Sequence, residues 1–216
     1  MAARRDAERG NVKSAFELAW RTPAGWAEAA LADPLALLSD HAHCELGAAA
    51  AAQGMLARRP EADELVERLA AHALDELRHF KQVHRVLRDL GGSLEPVRVN
   101  AYAEALTSRC ERGARNLLDR LLVAAVIERR SLERFELLAA AAEARQPVLA
   151  ELYRELAPSE AGHAALFVEL ARDLFPAEDV PGRLARWLAF EGETIARLDF
   201  APRIHSGPLP AEERSR

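Results

Sequence analysis

The string Glu-x-x-His occurs twice in this 216-residue chain, as Glu76-Leu-Arg-His79 and as Glu160-Ala-Gly-His163. On a helix, the three-residue spacing puts carboxylate and imidazole on one face, about one turn apart. The first pair interrupts an apolar stripe, Leu65, Leu69, His72, Glu76, His79, Val83, Val86 and Leu90, whose steps of three and four mark a core-facing surface. Burying such groups is costly unless something compensates. A divalent metal does so, because it takes both carboxylate and imidazole as ligands.

Each pair is preceded by another glutamate at a matched distance. Glu45 lies 31 residues before Glu76, and Glu128 lies 32 residues before Glu160. Glu45 sits in the stripe Leu38, His41, Glu45, Ala48, Ala52, Met55, and Glu128 in Leu117, Leu121, Ala124, Glu128, Ser131, Phe135, Leu138. The second pair sits in Leu149, Tyr153, Leu156, Glu160, His163, Phe167, Leu170, Leu174. Each half of the chain therefore reads as a helix with one inward Glu, then an antiparallel helix with inward Glu-x-x-His. A pseudo-twofold arrangement of the halves brings four carboxylates and two imidazoles to one level. That is the ligand set of a carboxylate-bridged dimetal centre. Without cations, four buried carboxylates would repel one another and their pKa values would rise.

The elements that must position these groups are legible. Asp33-Pro34 is a helix start, with Asp as N-cap and Pro at the first helical position. The first bundle helix is expected over 34–56 and the second over 61–90, stopped by Gly91-Gly92. From 91 to 113 runs a connection too long for a simple turn, carrying a short helix over 101–110. Helices over 115–144 and 147–175 complete the four, with Pro158 expected to distort the last one just before Glu160. A further helix over 181–198 carries Trp187 and Phe190. The expected fold class is all-α, a ferritin-like four-helix bundle with a long crossover, an N-terminal arm over 1–32 and an extra C-terminal helix. It forms one domain over 1–200, with the bundle at 33–175 and an extended or disordered tail over 201–216.

Composition narrows the function. Val, Ile and aromatic clusters at period two are scarce, which argues against a sheet. The net charge of -5 does not mark a general nucleic-acid binder, and Lys13 and Lys81 are the only lysines among an excess of Arg. Cys44 and Cys110 form no Cys-x-x-Cys pattern, so a cysteine-ligated metal site is not expected. No apolar run reaches the roughly 20 residues of a membrane span, and Arg4-Arg5 lacks the apolar segment of an export signal. A reduced, cytoplasmic protein is expected.

The segments Asp40-His-Ala-His-Cys-Glu45, Asp75-Glu-Leu-Arg-His-Phe80, Ile127-Glu-Arg-Arg-Ser-Leu-Glu-Arg-Phe135 and Ser159-Glu-Ala-Gly-His163 resemble the tRNA-(2-methylthio-isopentenyladenosine) hydroxylases, a branch of the ferritin-like superfamily. The resemblance covers about residues 33–175. It implies that Glu45, Glu76, His79, Glu128, Glu160 and His163 hold two iron ions. It also implies hydroxylation of the isopentenyl side chain on the adenosine next to the tRNA anticodon. The implied partners are O2, tRNA bearing the isopentenylated base, and an external electron donor or reductase. Manganese accepts the same ligand set. Gly162 and Pro158 depart from the family pattern near the final His, which bears on substrate fit more than on metal binding.

Other residues carry weaker signals. Asp75 and Arg78 flank the first pair in the string Asp-Glu-x-Arg-His, which resembles bacterial multicomponent diiron monooxygenases and there implies orientation of the ligands from behind; a surface ion pair is the bland alternative. His41 and His72, one turn from ligands, read as buried and hydrogen-bonded or as supports for the ligands. Cys44 reads as a small core residue. Arg109, Arg112, Arg115 and Arg120 read as a solvated face, with phosphate contact as the alternative. Tyr153, Phe135 and Phe167 suit a cavity wall or the core equally. The competing functions are a ferroxidase or iron-storage protein, which would form a many-subunit shell, and a metal-free helical scaffold. The arm and extra helix favour a monomer or small oligomer.

Overall fold

A computed structural model describes residues 16–210, and all regular structure among them is helical. The helices are α1 (Trp26–Ala30), α2 (Pro34–Leu56), α3 (Asp63–Asp89), α4 (Ala101–Ser108), α5 (Asn116–Ala142), α6 (Pro147–Leu174) and α7 (Val180–Ile195). Short turns join α2 to α3 and α5 to α6, and these form the two tightest helix pairs. The long connection carrying α4 links the pairs, which is the ferritin-like arrangement expected from the sequence.

Local chemistry sets the helix ends. The Asp33 carboxylate accepts the Ala36 N–H at 3.1 Å, with Pro34 at the first helical position. Gly91 ends α3 with φ +82, a left-handed conformation that glycine adopts without strain. The apolar stripe of α3 therefore stops early. Leu90 is 43% exposed, and Leu87 takes the buried position in its place. α6 is continuous through Pro158, although proline cannot donate to the Arg154 carbonyl one turn earlier.

The apolar core has two parts. One lies where α2 ends, α3 and α5 begin and α6 ends, and includes Met55, Leu69, Leu121 and Phe167. The other lies at the opposite ends of the same helices, and includes Leu38, Val83, Phe135 and Leu149. Glu45, Glu76, Glu128 and Glu160 fall between them in sequence on all four helices, so a polar layer divides the core at mid-height.

Buried polar ties fasten the outer elements. Arg130 on α5, fully buried, donates to both Glu191 oxygens on α7 at 2.7 and 2.9 Å, to Glu133, and to the Trp20 carbonyl of the N-terminal arm at 2.9 Å. Tyr102 on α4 donates to the same Glu191 at 3.1 Å. Asp119 accepts from Arg183 at 2.6 and 2.9 Å and from Trp187 at 2.9 Å. The arm residues from 16 onward thus pack on the body, and residues 1–15 lie outside the described part.

The tail over 201–210 has no helix, yet it packs closely. Ile204 is buried and its N–H donates to Asp40 at 3.0 Å. Trp26 donates to Ser206 Oγ at 3.1 Å, and His205 stacks on Tyr102 at 4.8 Å. Gly207 follows where a Cβ would stand 1.6 Å from the Leu198 carbonyl oxygen, so only glycine fits. The segment is irregular, with bends and a turn over 202–205, and residues 211–216 lie outside the described part.

Candidate metal centre

Glu76, in the middle of α3, is the hub of the polar layer. Its Oε1 lies 2.8 Å from His163 Nδ1 on α6, and its Oε2 lies 3.7 Å from His79 Nδ1 one turn along α3. His79 Nδ1 in turn lies 3.6 Å from Glu45 Oε2 on α2 and 3.8 Å from Glu160 Oε1 on α6. His72 reaches the same group: its Nδ1 is 3.3 Å from Glu76 Oε1 and its Nε2 is 3.7 Å from Glu128 Oε1 on α5. All seven residues are buried. Two quartets overlap here, His72–Glu76–Glu128–His163 and Glu76–His79–Glu160–His163, and in each the ligating atoms lie within 4.8 Å of one another.

The structure thus gathers all six residues expected from the sequence into one cluster. Glu45 stands at its edge, reached through His79, because its other oxygen is held at 2.6 Å by His41 Nε2. Phe135 and Tyr153 pack against the His41 ring at 4.8 and 5.5 Å and fix its position.

These close approaches are not a hydrogen-bond network. Glu76 Oε1, Glu160 Oε1, His79 Nδ1 and His163 Nδ1 are all buried without a hydrogen-bond partner, despite lying within ion-pair distance of one another. Buried polar atoms ordinarily find partners. Here the lone pairs converge on shared space instead of on each other. Divalent cations satisfy that arrangement, and the mixed carboxylate and imidazole set suits iron.

Electrostatics gives the same reading. Burial pushes the Glu45, Glu128 and Glu160 carboxyls well above the usual carboxylate range, with Glu160 and Glu76 adding to the rise at Glu128. At Glu76 burial also acts upward, but contacts with His163 and His79 outweigh it and hold the carboxyl well below its ordinary value. Burial lowers His79 while contacts with Glu45 and Glu76 raise it, and the net position is about 10. The metal-free cluster therefore holds protons where cations would otherwise supply positive charge. His41 and His72 move the other way: burial lowers them to about 3 and about 4, so both are neutral.

Other candidates fall elsewhere. Asp75 and Arg78 pair with each other on the outer face of α3 and make no hydrogen bond to a ligand. One residue along a helix turns a side chain by about 100°, so the immediate neighbours of Glu76 and His79 point away from them. That corrects the expectation that this pair orients the ligands; His41 holds that position for Glu45. Arg109 lies over the Phe190 ring, Arg115 bonds Glu178 and Arg120 bonds Asn116, so these arginines are spent on separate contacts. Cys44 lies 3.7 Å from His205 Nδ1, off the metal-facing stripe. His41 and His72 were visible as members of apolar stripes, but their different partners were not.

A cleft of about 420 Å3 opens between α5 and α6 beside this layer, lined by Leu132, Glu136, Tyr153, Ala157, Pro158 and Ala161 among others. Leu132 is one turn beyond Glu128, and Ala161 adjoins Glu160. Gly162 is exposed, and a side chain there would meet nothing within 4 Å.

Two pairs of helices around a mid-height carboxylate and imidazole layer define a ferritin-like protein of the diiron-carboxylate type. In agreement, the chain is similar to a solved structure described as protein 43 with aldehyde deformylating oxygenase activity from Synechococcus, with a TM-score of 0.83 and 37% identity over 90% of this chain and 98% of that one. The family described as tRNA-(MS[2]IO[6]A)-hydroxylase (MiaE) matches residues 11–206, and the chain belongs to that family. It is 37% identical to the tRNA 2-(methylsulfanyl)-N(6)-isopentenyladenosine(37) hydroxylase of Pseudomonas putida, over 86% of this chain and 90% of the relative. It is 31% identical to the Salmonella typhimurium enzyme of the same name, over 70% of this chain and 55% of that protein. Among the described residues, no helix is long and apolar enough to cross a membrane.

Proposed function

We propose that the protein is an O2-dependent diiron monooxygenase. It hydroxylates the isopentenyl side chain of N6-isopentenyladenosine, with or without the 2-methylthio group, next to the tRNA anticodon. The observation that carries this reading is the convergence of buried, unpartnered ligand atoms at Glu76, His79, Glu160 and His163, in a chain of this family. Glu45, Glu76, His79, Glu128, Glu160 and His163 would hold two irons, or manganese ions in their place. When bound, two ferrous ions would supply the reduction of O2 and the oxidation of an allylic C–H bond of the isopentenyl group.

The chain itself positions and protects. Glu76 lies within reach of imidazoles on two helices and would hold metal together with His79 and His163. His41 Nε2–H donates to Glu45 Oε1 and restrains that carboxylate, leaving Oε2 directed toward His79. Phe135 and Phe167, both buried, keep water from the two ends of the layer. The α5–α6 cleft offers the apolar isopentenyl group a way to the layer past Leu132, Ala157 and Ala161. Incorporation of one oxygen atom and reduction of the other to water consumes two electrons from an external donor. A tRNA substrate puts the protein's work in the cytoplasm, and the N-terminal arm and extra helix α7 packed on the bundle favour a monomer or small oligomer.

The test is nucleoside mass spectrometry of tRNA incubated with iron-loaded protein, reductant and O2. A gain of about 16 Da on the isopentenylated adenosine is expected, as one inserted oxygen requires. Unchanged tRNA from protein holding a full complement of iron overturns the substrate assignment. A parallel incubation with a fatty aldehyde covers the activity in the description of the Synechococcus relative; aldehyde consumption with unchanged tRNA moves the assignment there.

A further inference from the structure

We infer that His72 is a third histidine ligand of the metal pair, on the ion held by Glu128 and His163. The inference rests on the diiron reading and deepens it. His72 stands one helical turn before Glu76, so α3 presents His72, Glu76 and His79 on one face. Its two ring nitrogens lie 3.3 Å from Glu76 Oε1 and 3.7 Å from Glu128 Oε1, and the ring meets His163 edge-on at 4.4 Å. Glu76, Glu128 and His163 are the three other members of its quartet.

Comparison with the other buried imidazoles separates a ligand from a packed histidine. His41 bonds Glu45 at 2.6 Å, and His205 bonds Ser131 Oγ at 3.1 Å through one nitrogen and approaches Cys44 Sγ through the other. His72 is 2% exposed, and neither of its ring nitrogens has a hydrogen-bond partner. An imidazole sealed in the core with both nitrogens unpaired is costly as a packing element. His79 and His163, the imidazoles of the Glu-x-x-His motifs, each have a buried Nδ1 without a hydrogen bond; so does His41, but its Nε2 is held by Glu45, whereas both nitrogens of His72 are unpaired. His72 belongs with them.

A neutral third imidazole changes the site in a defined way. Four carboxylates already balance two divalent cations, so the added ligand brings no charge. It fills a position on the Glu128 and His163 side only. The other ion, on the His79 and Glu160 side, would then have the more open coordination, and the pair would be inequivalent.

The test uses Co2+ alone as probe, bound to the full-length protein and to the variants His72→Phe and His72→Asn. Each imidazole bound to paramagnetic cobalt gives one strongly shifted, exchangeable N–H signal in the proton NMR spectrum, assigned by 15N-histidine labelling. Three such signals are expected at two cobalt ions per chain, falling to two in both variants, with affinity for one of the two ions weakened on the order of 10-fold or more. Two signals in the unsubstituted protein at full loading overturn the inference while leaving the diiron reading intact. Failure of the unsubstituted protein to bind two ions overturns the diiron reading itself. Phenylalanine packs where the ring already lies 4.9 Å from Phe167, and asparagine keeps polarity. If neither variant folds, the signal count in the unsubstituted protein still decides.

Discussion

His163 Nδ1 on α6 lies 2.8 Å from Glu76 Oε1 on α3, and neither atom makes a hydrogen bond. Glu76 also belongs to both overlapping quartets, whereas Glu45 stands at the edge of the cluster and belongs to neither. The two glutamates should therefore differ in consequence. Glu76→Ala is expected to lose most metal from both positions, and Glu45→Ala to weaken mainly one. Metal analysis after anaerobic iron loading checks this, with circular dichroism confirming that both variants stay helical. Equal iron retention by the two variants contradicts the placement of Glu76 at the hub.

Stability should depend on pH in opposite senses with and without metal. His79 titrates at about 10 in the folded metal-free protein against an ordinary 6.5. A raised folded pKa contributes stability that is full below the unfolded value and is lost as pH rises through the folded one. The raised Glu45, Glu128 and Glu160 act with the same sign, from their ordinary 4.5 upward. The melting temperature of the metal-free protein is expected to fall between about pH 6.5 and pH 10. Metal binding needs a neutral imidazole and ionised carboxylates, so its stabilisation grows over the same range. Paired thermal scans at fixed free metal should show the gap widening with pH; a constant gap counts against these groups as ligands.

Glu191 is a structural counterpart to the site. It neutralises Arg130, which is fully buried and would keep only Glu133 as a carboxylate partner if Glu191 were lost. Glu191→Gln is expected to cost about 3 kcal/mol, the scale for breaking a buried pair by removing one partner. For a chain of this length that lowers the melting temperature by about 6–12 °C. Iron per chain at 20 °C should stay unchanged, since α7 contributes no residue to the quartets. Denaturant unfolding and metal analysis on the same preparation separate the two effects.

The α5–α6 cleft makes a steric prediction. Ala157→Trp would fill space between Tyr153 and Pro158 without touching a ligand. Turnover on modified tRNA is expected to fall by 10-fold or more, on the order of a misplaced reacting group, with iron content unchanged. Full turnover in this variant would place the substrate path elsewhere.

Helix periodicity made most of this fold legible. Asp33-Pro34, Gly91-Gly92 and Gln146-Pro147 punctuate the chain with strong local chemistry, and the helix bounds follow them closely. The six clustered side chains were legible because each breaks an apolar stripe at a spacing repeated in the other half. Three features were not. Whether His41 and His72 pair with a neighbour or stay open depends on distances of a few ångströms across helices, which periodicity does not contain. The Asp75 and Arg78 pair carried a familiar string but sits on the outer face, and a string does not encode its facing. The burial of 201–210 depends on a single close approach at Gly207 and on Trp26, Ser131 and Asp40, all distant in sequence.

The central claim is that this cluster directs an oxygen atom from O2 into an isopentenyl C–H bond on tRNA. Mass spectrometry of the nucleosides after turnover under 18O2 in ordinary water tests it most directly. A gain of about 18 Da on isopentenylated adenosine is expected, and it should vanish in Glu76→Ala, as insertion of one labelled atom at this site requires. A gain of about 16 Da under 18O2 would mean that the oxygen comes from water. That result, or labelling that persists at full rate in Glu76→Ala, contradicts the assignment.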